Sequence, residues 1–377
     1  MRLQVSFAAA ASLAFTLSGL AACGVYSSPD PVEVNDTSTV GTTSAGGATS
    51  TSTSVSTTAT VSSTTGGGMF LPAELPPPPG PGGMPQPAGE LGDVTVLNWA
   101  GFTAAVSYTF DDSNSSQIRN YAALQQLGVR MTFYLQTNKS DASDPIWAQA
   151  LNDGHELGNH THSHSMTDDG SDTDKATAFI QDTFGVTPLT MAAPYGDSSY
   201  AAIATTRFLI NRGVSNGLVK PNDNSNPFSL FCYIPDEGAP ADDFNAQVDS
   251  ARTGLGWRVM LVHGFTGGTD SAYQPVALEE FVAGVEYAKS LGDVWIDSVL
   301  NVGAYWLGQK AFKTAAIDEQ GDTRTFTWTL PAHFPSGRSL RVTTSGGTLT
   351  QAGSPLPWND HGYYEVALDA GPLTVTP

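Results

Sequence analysis

Two adjacent carboxylates, Asp111 and Asp112, follow the largely apolar run "AAVSYTF" (Ala104 to Phe110) within the stretch "SYTFDDSNSS". Successive side chains on a strand point to opposite faces, so a plain strand end would send the two acids apart. A second concentration of chemistry is "GHELGNHTHSH" (Gly154 to His164), which holds four of the chain's seven histidines. His160 and His164, four apart, share one face of a helical turn with His162 turned away; in a strand all three would line one face. Spacing alone therefore leaves the ligand set open. Imidazoles grouped this way suit a divalent metal, and two of them need at least one further ligand, since catalytic zinc sites commonly keep three protein ligands and an open position. One acid of the pair can supply that ligand while its neighbour stays free as a base. The same donors also suit a polar loop of hydrogen-bonded histidines, or an iron oxygenase using two His and a carboxylate.

The flanking pattern says what frame would hold them. "AAVSYTF" leads to "SSQIRNYAALQQLG", with Asn114 or Ser115 as a cap and Gly128 as a stop. "RMTFYLQ" leads to "DPIWAQALNDG", in which Asp144 caps, Pro145 opens the first turn and Gly154 ends it. "LTMAA" with "SSYAAIATTR", "WRVMLVHG" with "PVALEEFVAGVEYAKSLG", and "VWIDS" with "VLNVGAYWLGQKAF" continue the alternation. Strands and helices in turn predict a parallel sheet covered by helices, and over residues 93–312 the pattern fits a small or incomplete (β/α) barrel better than an open sheet, although periodicity alone does not decide between them. The acid pair and the histidines both follow strands, so both fall on the C-terminal rim where such folds place catalytic groups. After Phe312, "TRTFTWTL", "SLRVTTS", "YYEVAL" and "LTVT" predict a small β-sandwich-like domain over 313–377, in which Trp328 and Trp358 read as core more readily than as a sugar platform.

The motifs "TFDDS", "GNHTHSH", "APYG" and "LVHG", in this order, resemble those of the polysaccharide deacetylase family, carbohydrate esterase family 4, over roughly Gly92 to Phe312. The resemblance implies a distorted (β/α) barrel and a divalent metal, most often zinc, held by Asp112, His160 and His164. It further implies that Asp111 is the catalytic base, that His263 is the catalytic acid with Leu261 lining an acetyl pocket, and that the backbone N–H of Tyr195 helps hold the oxyanion. The implied substrate is an acetylated polysaccharide of the peptidoglycan, chitin or xylan type, cleaved at N- or O-acetyl groups. Two departures mark a divergent branch. Many members carry an Arg two residues before the Pro of the third motif, paired with the base, where this chain has Ala192. The fourth motif, an Asp-rich stretch with Trp that tunes the acid, is not found; Trp257, Asp236, Asp242 and Asp243 are the candidates for its place. His155 matches no ligand position and reads as structural. The rival from another class is a carbohydrate-binding surface protein on an inactive scaffold, against which stands the presence of all five residues for metal, base and acid. The alternating pattern counts against the oxygenase.

Sixteen basic against thirty-six acidic residues give a net charge of −20, which opposes phosphate backbones and excludes nucleic acid as a natural partner. Residues 1–22 have the early Arg2, long apolar run and small-residue end of a signal peptide. "LAAC" at Leu20 to Cys23 resembles a bacterial lipobox, which implies an exported protein anchored to the cell envelope through a lipid on Cys23 and placed at the outer membrane or cell surface. Cys232 is then left without a disulfide partner. From Cys23 to residue 92 the Ser/Thr/Gly-rich and then Pro-rich composition predicts a disordered tether.

Overall fold

The computed structural model describes residues 74–377; the expected signal peptide, Cys23 and the tether up to residue 73 lie outside the described residues. Strand β1 (Val94–Val96) is followed by seven strands in parallel pairing: β2 (Ala104–Phe110), β3 (Thr132–Leu135), β4 (Glu156–Asn159), β5 (Thr190–Ala192), β6 (Ile210–Arg212), β7 (Trp257–Val262) and β8 (Val294–Ile296). Their order is β6-β5-β4-β3-β2-β7. β7 runs along one edge of β2, while β8 pairs with Ala104–Val106 and β3 with Thr109 and Phe110 on the other. Two strands thus share one edge, and the curled sheet is the distorted barrel that the resemblance implies. An irregular segment closes it: Leu230 bridges to β6 and Tyr233 to β7.

The period of two along each strand decides which groups face the interior. On β2, Val106, Tyr108 and Phe110 enter an outer core with Phe133, Phe265 and Phe281, whereas Ala105 and Ser107 face the inner one. On β7, Met260 and Val262 go outward while Trp257, Val259 and Leu261 go inward. Glu156 on β4 bonds Thr132 on β3 and Thr190 on β5, all inside. Gly158 continues that inner face, where a Cβ would lie 2.4 Å from the Tyr134 ring. Asp111, His160, Arg212 and His263 each occupy the inward parity of their strand.

The outer layer comprises α1 (Ser115–Arg119), α2 (Tyr121–Gln126), α3 (Ile146–Asn152), α4 (Ser171–Phe184), α5 (Tyr200–Ala204), α6 (Ala241–Gly254) and α7 (Leu278–Ser290). The run "SSQIRNYAALQQLG" predicts one helix, but it breaks at Asn120, whose ψ of 5° leaves the helix. The Asn120 amide donates to the Ser116 carbonyl, competing with the backbone ladder as asparagine commonly does. Asp144 accepts the Ile146 N–H at 2.9 Å, as its capping position predicts. The last helix, α8 (Val299–Lys313), packs in the inner core instead: a Cβ on Gly303 would lie 2.1 Å from Ile210 Cδ1 and 3.3 Å from Trp257.

The remaining strands are β9 (Ala316–Gln320), β10 (Thr323–Thr327), β11 (Ser339–Thr344), β12 (Thr348–Gln351), β13 (Ser354–Pro355), β14 (Trp358–Asn359), β15 (Tyr363–Ala367) and β16 (Leu373–Thr376). They form sheets of order β1-β11-β15-β14 and β13-β12-β16-β10-β9. The boundaries differ from the sequence reading in two ways. β1 belongs to the C-terminal sheets rather than to the barrel, and one apolar core runs from Ile210 and Trp257 through Trp306 to Leu340 and Val366. The tether also ends earlier than residue 92. The buried Arg341 guanidinium donates to the carbonyls of Leu75, Pro76 and Ala100, and Trp358 Nε1 donates to the Met84 carbonyl. These bonds order a Pro-rich stretch that has little apolar periodicity of its own.

Candidate active site

Asp111 follows β2 on its inward parity, and the next two residues take left-handed backbone conformations, Asp112 at φ 75° and Ser113 at φ 52°. Such values are unusual for non-glycine residues and concentrate where surrounding contacts impose them. Ser113 Oγ accepts the Gln136 N–H, and Asn114 Nδ2 and Gln117 Nε2 both donate to the His263 carbonyl, at 2.7 and 2.8 Å. The turn removes the strand alternation, and both carboxylates reach His160. Its Nε2 lies 3.3 Å from Asp112 Oδ1 and 3.5 Å from Asp111 Oδ2, and His164 Nε2 lies 3.6 Å from Asp112 Oδ1.

The histidine segment is neither the helical turn nor the strand considered above. It is a bend with Thr161 at φ 60° and His164 at φ 55°, pinned by Asn159 Oδ1 accepting the Thr161 N–H and Thr161 Oγ1 accepting the His164 N–H. The outcome for the side chains is nonetheless the one that spacing allowed: His160 and His164 converge with ring centroids 4.7 Å apart, and His162 turns away to Thr137. His160 Nδ1–H donates to the Ala192 carbonyl at 2.8 Å, which orients the ring so that Nε2 faces Asp112: it is the nitrogen that would meet a metal, and without one it donates to the carboxylate.

One donor atom from each of Asp112, His160 and His164 lies within 4.8 Å of the others, and Asp111 Oδ1 is buried beside them without a hydrogen-bond partner among the described residues. Two imidazole nitrogens and a carboxylate oxygen are a donor set that fits a divalent cation. Burial would raise the Asp112 carboxyl, but the His160 hydrogen bond and charge, with His263 and Lys139, hold it well below the usual carboxylate range. His160 is raised: burial acts against its charge, and Asp111 and Asp112 outweigh it. Burial and the neighbouring His160 push His164 down to about 4.

The partner of Asp111 comes from a residue that motif reading misses. Arg212, fully buried at the end of β6, places Nη2 on Asp111 Oδ2 and its guanidinium 5.6 Å from the Tyr134 ring centroid. Ala192, at the position of the family Arg, contributes its carbonyl to His160 instead. The available signal was parity: "INR" puts Arg212 two residues after Ile210, on the same inward face.

His263 follows the end of β7, as its motif predicts, with Nδ1 buried and without a hydrogen-bond partner among the described residues. Burial lowers it, against the charges of Asp111 and Asp112. Trp257 does not fill space beside it. It begins the strand that His263 ends, donates to Ser107 Oγ, and packs between Trp99 and Trp306. Asp236, Asp242 and Asp243 are not partners either, Asp242 and Asp243 lying in the first turn of α6. The ring that does touch His263 is Tyr273, edge-on at 5.2 Å between centroids. Tyr195 takes φ 56°; its turn is closed by bonds from Gly196 to Ala193 and from Asp197 to Pro194, and its ring lies 4.5 Å from His164. Leu261 faces inward, buried.

His155 has the structural place its sequence reading assigns. Its Nδ1 accepts the Met131 N–H at 3.0 Å, and its ring packs on Tyr121 and Phe133. Burial, only partly opposed by Asp153, pushes it down from 6.5 to about 4. The folded chain keeps this ring neutral, whereas the unfolded chain protonates it below its ordinary value. Its contribution is therefore complete above about pH 6.5 and is lost as pH falls toward 4, on the order of 3 kcal/mol. Denaturation midpoints should fall between pH 7 and pH 4.5 more steeply for wild type than for His155→Gln; equal slopes would contradict this origin.

A curled parallel (β/α) barrel with a two-His, one-Asp cluster on its C-terminal rim defines the class of a barrel protein with a candidate metal centre. Residues 103–210 match the family model described as polysaccharide deacetylase. The family supports a deacetylase function, hydrolysis of acetyl groups. A gellan lyase from Bacillus sp is 28% identical over 314 residues, covering 71% of this chain but only 12% of that protein. Among solved structures, a putative polysaccharide deacetylase from Mycobacterium smegmatis is 17% identical with a TM-score of 0.40, covering 59% of this chain and 96% of the other. A family 4 acetyl xylan esterase from Clostridium thermocellum, solved with a cobalt ion, is 19% identical with a TM-score of 0.37, covering 52% and 89%.

Proposed function

We propose that this chain is a divalent-metal-dependent deacetylase of an extracellular polysaccharide, with Asp112, His160 and His164 holding the metal, zinc being the expected ion. The observation that carries the reading is the convergence of these three donors with Asp111 on one rim, within the segment that matches the family. A divalent ion there would supply an activated water and polarise the acetyl carbonyl. Asp111, oriented by Arg212, takes a proton from the attacking water. The Tyr195 N–H faces the oxyanion. His263 returns a proton to the departing sugar oxygen or nitrogen as its bond to the acetyl carbon breaks. Tyr195 and Tyr273, 59% and 60% exposed, offer aromatic faces beside the site on which sugar rings can stack.

His263 also bears on which acetyl bond is cleaved. An amine leaves only when protonated, whereas an alcohol leaves more easily, and His263 Nδ1 has no hydrogen-bond partner among the described residues to hold the imidazolium in place. O-acetyl esters are thus the favoured substrates, as in acetyl xylan. Acetate release from acetyl xylan, chitin oligomers and peptidoglycan, measured in parallel with added zinc or cobalt, should be fastest on the first. Faster release from either N-acetyl polymer would overturn the ester preference. No acetate from any of the three would leave a carbohydrate-binding protein on the same fold.

Export and lipid anchoring at Cys23 belong to the same proposal, supported by "LAAC" and the long Ser/Thr/Gly-rich stretch after it. No helix among the described residues is long and apolar enough to cross a membrane. Cys23→Ser should move the protein from the membrane to the soluble fraction with acetate release unchanged; a variant that stays with the membrane would refute the anchor.

A further inference from the structure

At the opposite end of the barrel from the catalytic rim, where β3, β4 and β5 begin, a cleft of about 420 Å³ opens between the barrel and the loop that precedes β11. Leu151, Val186 and Leu189 give it apolar walls, and Arg130 and Arg338 bring two guanidinium groups to it. Arg338 is 7% exposed, and its Nε and Nη1 are buried with no hydrogen-bond partner among the described residues. An unpaired buried cation is costly, so such groups are normally matched by a counter-ion or by acceptors.

The nearby acids Asp297 and Glu156 favour its charge, but neither hydrogen-bonds its Nε or Nη1. Asp297 already accepts from Arg130 Nη2, Trp295 Nε1, the Ser298 N–H and Asn301 Nδ2. Glu156 accepts from the Thr132 and Thr190 hydroxyls and from the Leu300 N–H, and burial raises its carboxyl toward the neutral form. In a chain of net charge −20, a pair of arginines at one cleft, with Nε and Nη1 of the inner one lacking hydrogen-bond partners among the described residues, is not a general electrostatic background. Apolar walls disfavour a strongly hydrated dianion such as phosphate and favour an anion that carries an apolar body.

We propose that this cleft binds a small organic carboxylate, its carboxylate on Arg338 and its apolar body against Leu151, Val186 and Leu189. The site is separate from the acetyl-hydrolysing rim and does not depend on the function proposed for it. Guanidinium donors recognise a carboxylate through charge-assisted hydrogen bonds, and removal of the apolar body from water adds to them.

Calorimetric titration of the full chain with sodium benzoate should show saturable binding, and benzoate should raise the melting temperature in step with its concentration. Benzamide, the neutral analogue, and inorganic phosphate should bind at least tenfold more weakly. Arg338→Met should weaken benzoate at least tenfold, and Val186→Trp, which narrows the cleft while keeping the charge, should do the same even if Arg338→Met fails to fold. Acetate release should be unchanged in both. Absence of benzoate binding, equal binding by folded variants, or phosphate binding as tight as benzoate binding would each overturn the proposal.

Discussion

Asp112→Asn is expected to fold, to lose its bound metal and to lose acetate release with it, while Asp111→Asn keeps the metal and loses roughly 10²- to 10⁴-fold in turnover. The asymmetry comes from geometry. Asp112 Oδ1 lies within 3.6 Å of both His160 Nε2 and His164 Nε2, so it completes a three-donor set. Asp111 approaches only His160 and gives its other contact to Arg212. Removing a group that merely orients a ligand typically costs 10- to 100-fold in metal affinity, so loss of a ligand should cost roughly 100-fold or more. Metal content by mass spectrometry and acetate release on the two purified variants decide the matter. If Asp111→Asn strips the metal, or Asp112→Asn retains it at wild-type affinity, the pair has been assigned the wrong way round.

The second large effect is expected at Arg212. Arg212→Met should reduce turnover by roughly 10²-fold or more with metal retained, because the base loses the group that fixes its direction. It also leaves the Asp111 carboxylate buried without its cation, and breaking a buried pair from one side costs about 3–5 kcal/mol. The melting temperature should therefore fall as well. Arg212→Lys keeps the charge but not the planar fork and should recover stability more fully than turnover. Turnover of Arg212→Met equal to wild type would show that Asp111 needs no such partner, and co-loss of metal would place Arg212 in support of the ligands instead.

The local sequence determined a good deal of this molecule. Alternating strand and helix patterns marked the barrel, because apolar periodicity is a local property of consecutive residues. With β2 and β7 in place, parity puts Asp111 and His263 on the inward face with Ser107 and Leu261. The family resemblance, not the spacing, grouped Asp112, His160 and His164, and their donor atoms lie within 4.8 Å of one another, in a bend and not in a helical turn. What the local sequence left undecided depends on contacts between residues far apart in the chain. Arg212 meets Asp111 across 101 positions, from a strand that no motif marks. The left-handed turn at Asp112, which lets both acids reach one site, is imposed by bonds from Gln136 to Ser113 and from Asn114 and Gln117 to His263. The C-terminal strands read as a separate unit because their own pattern is complete. Only in three dimensions do β1, Arg341 and α8 bind them to the barrel, since a shared core is a property of packed faces and not of any one segment.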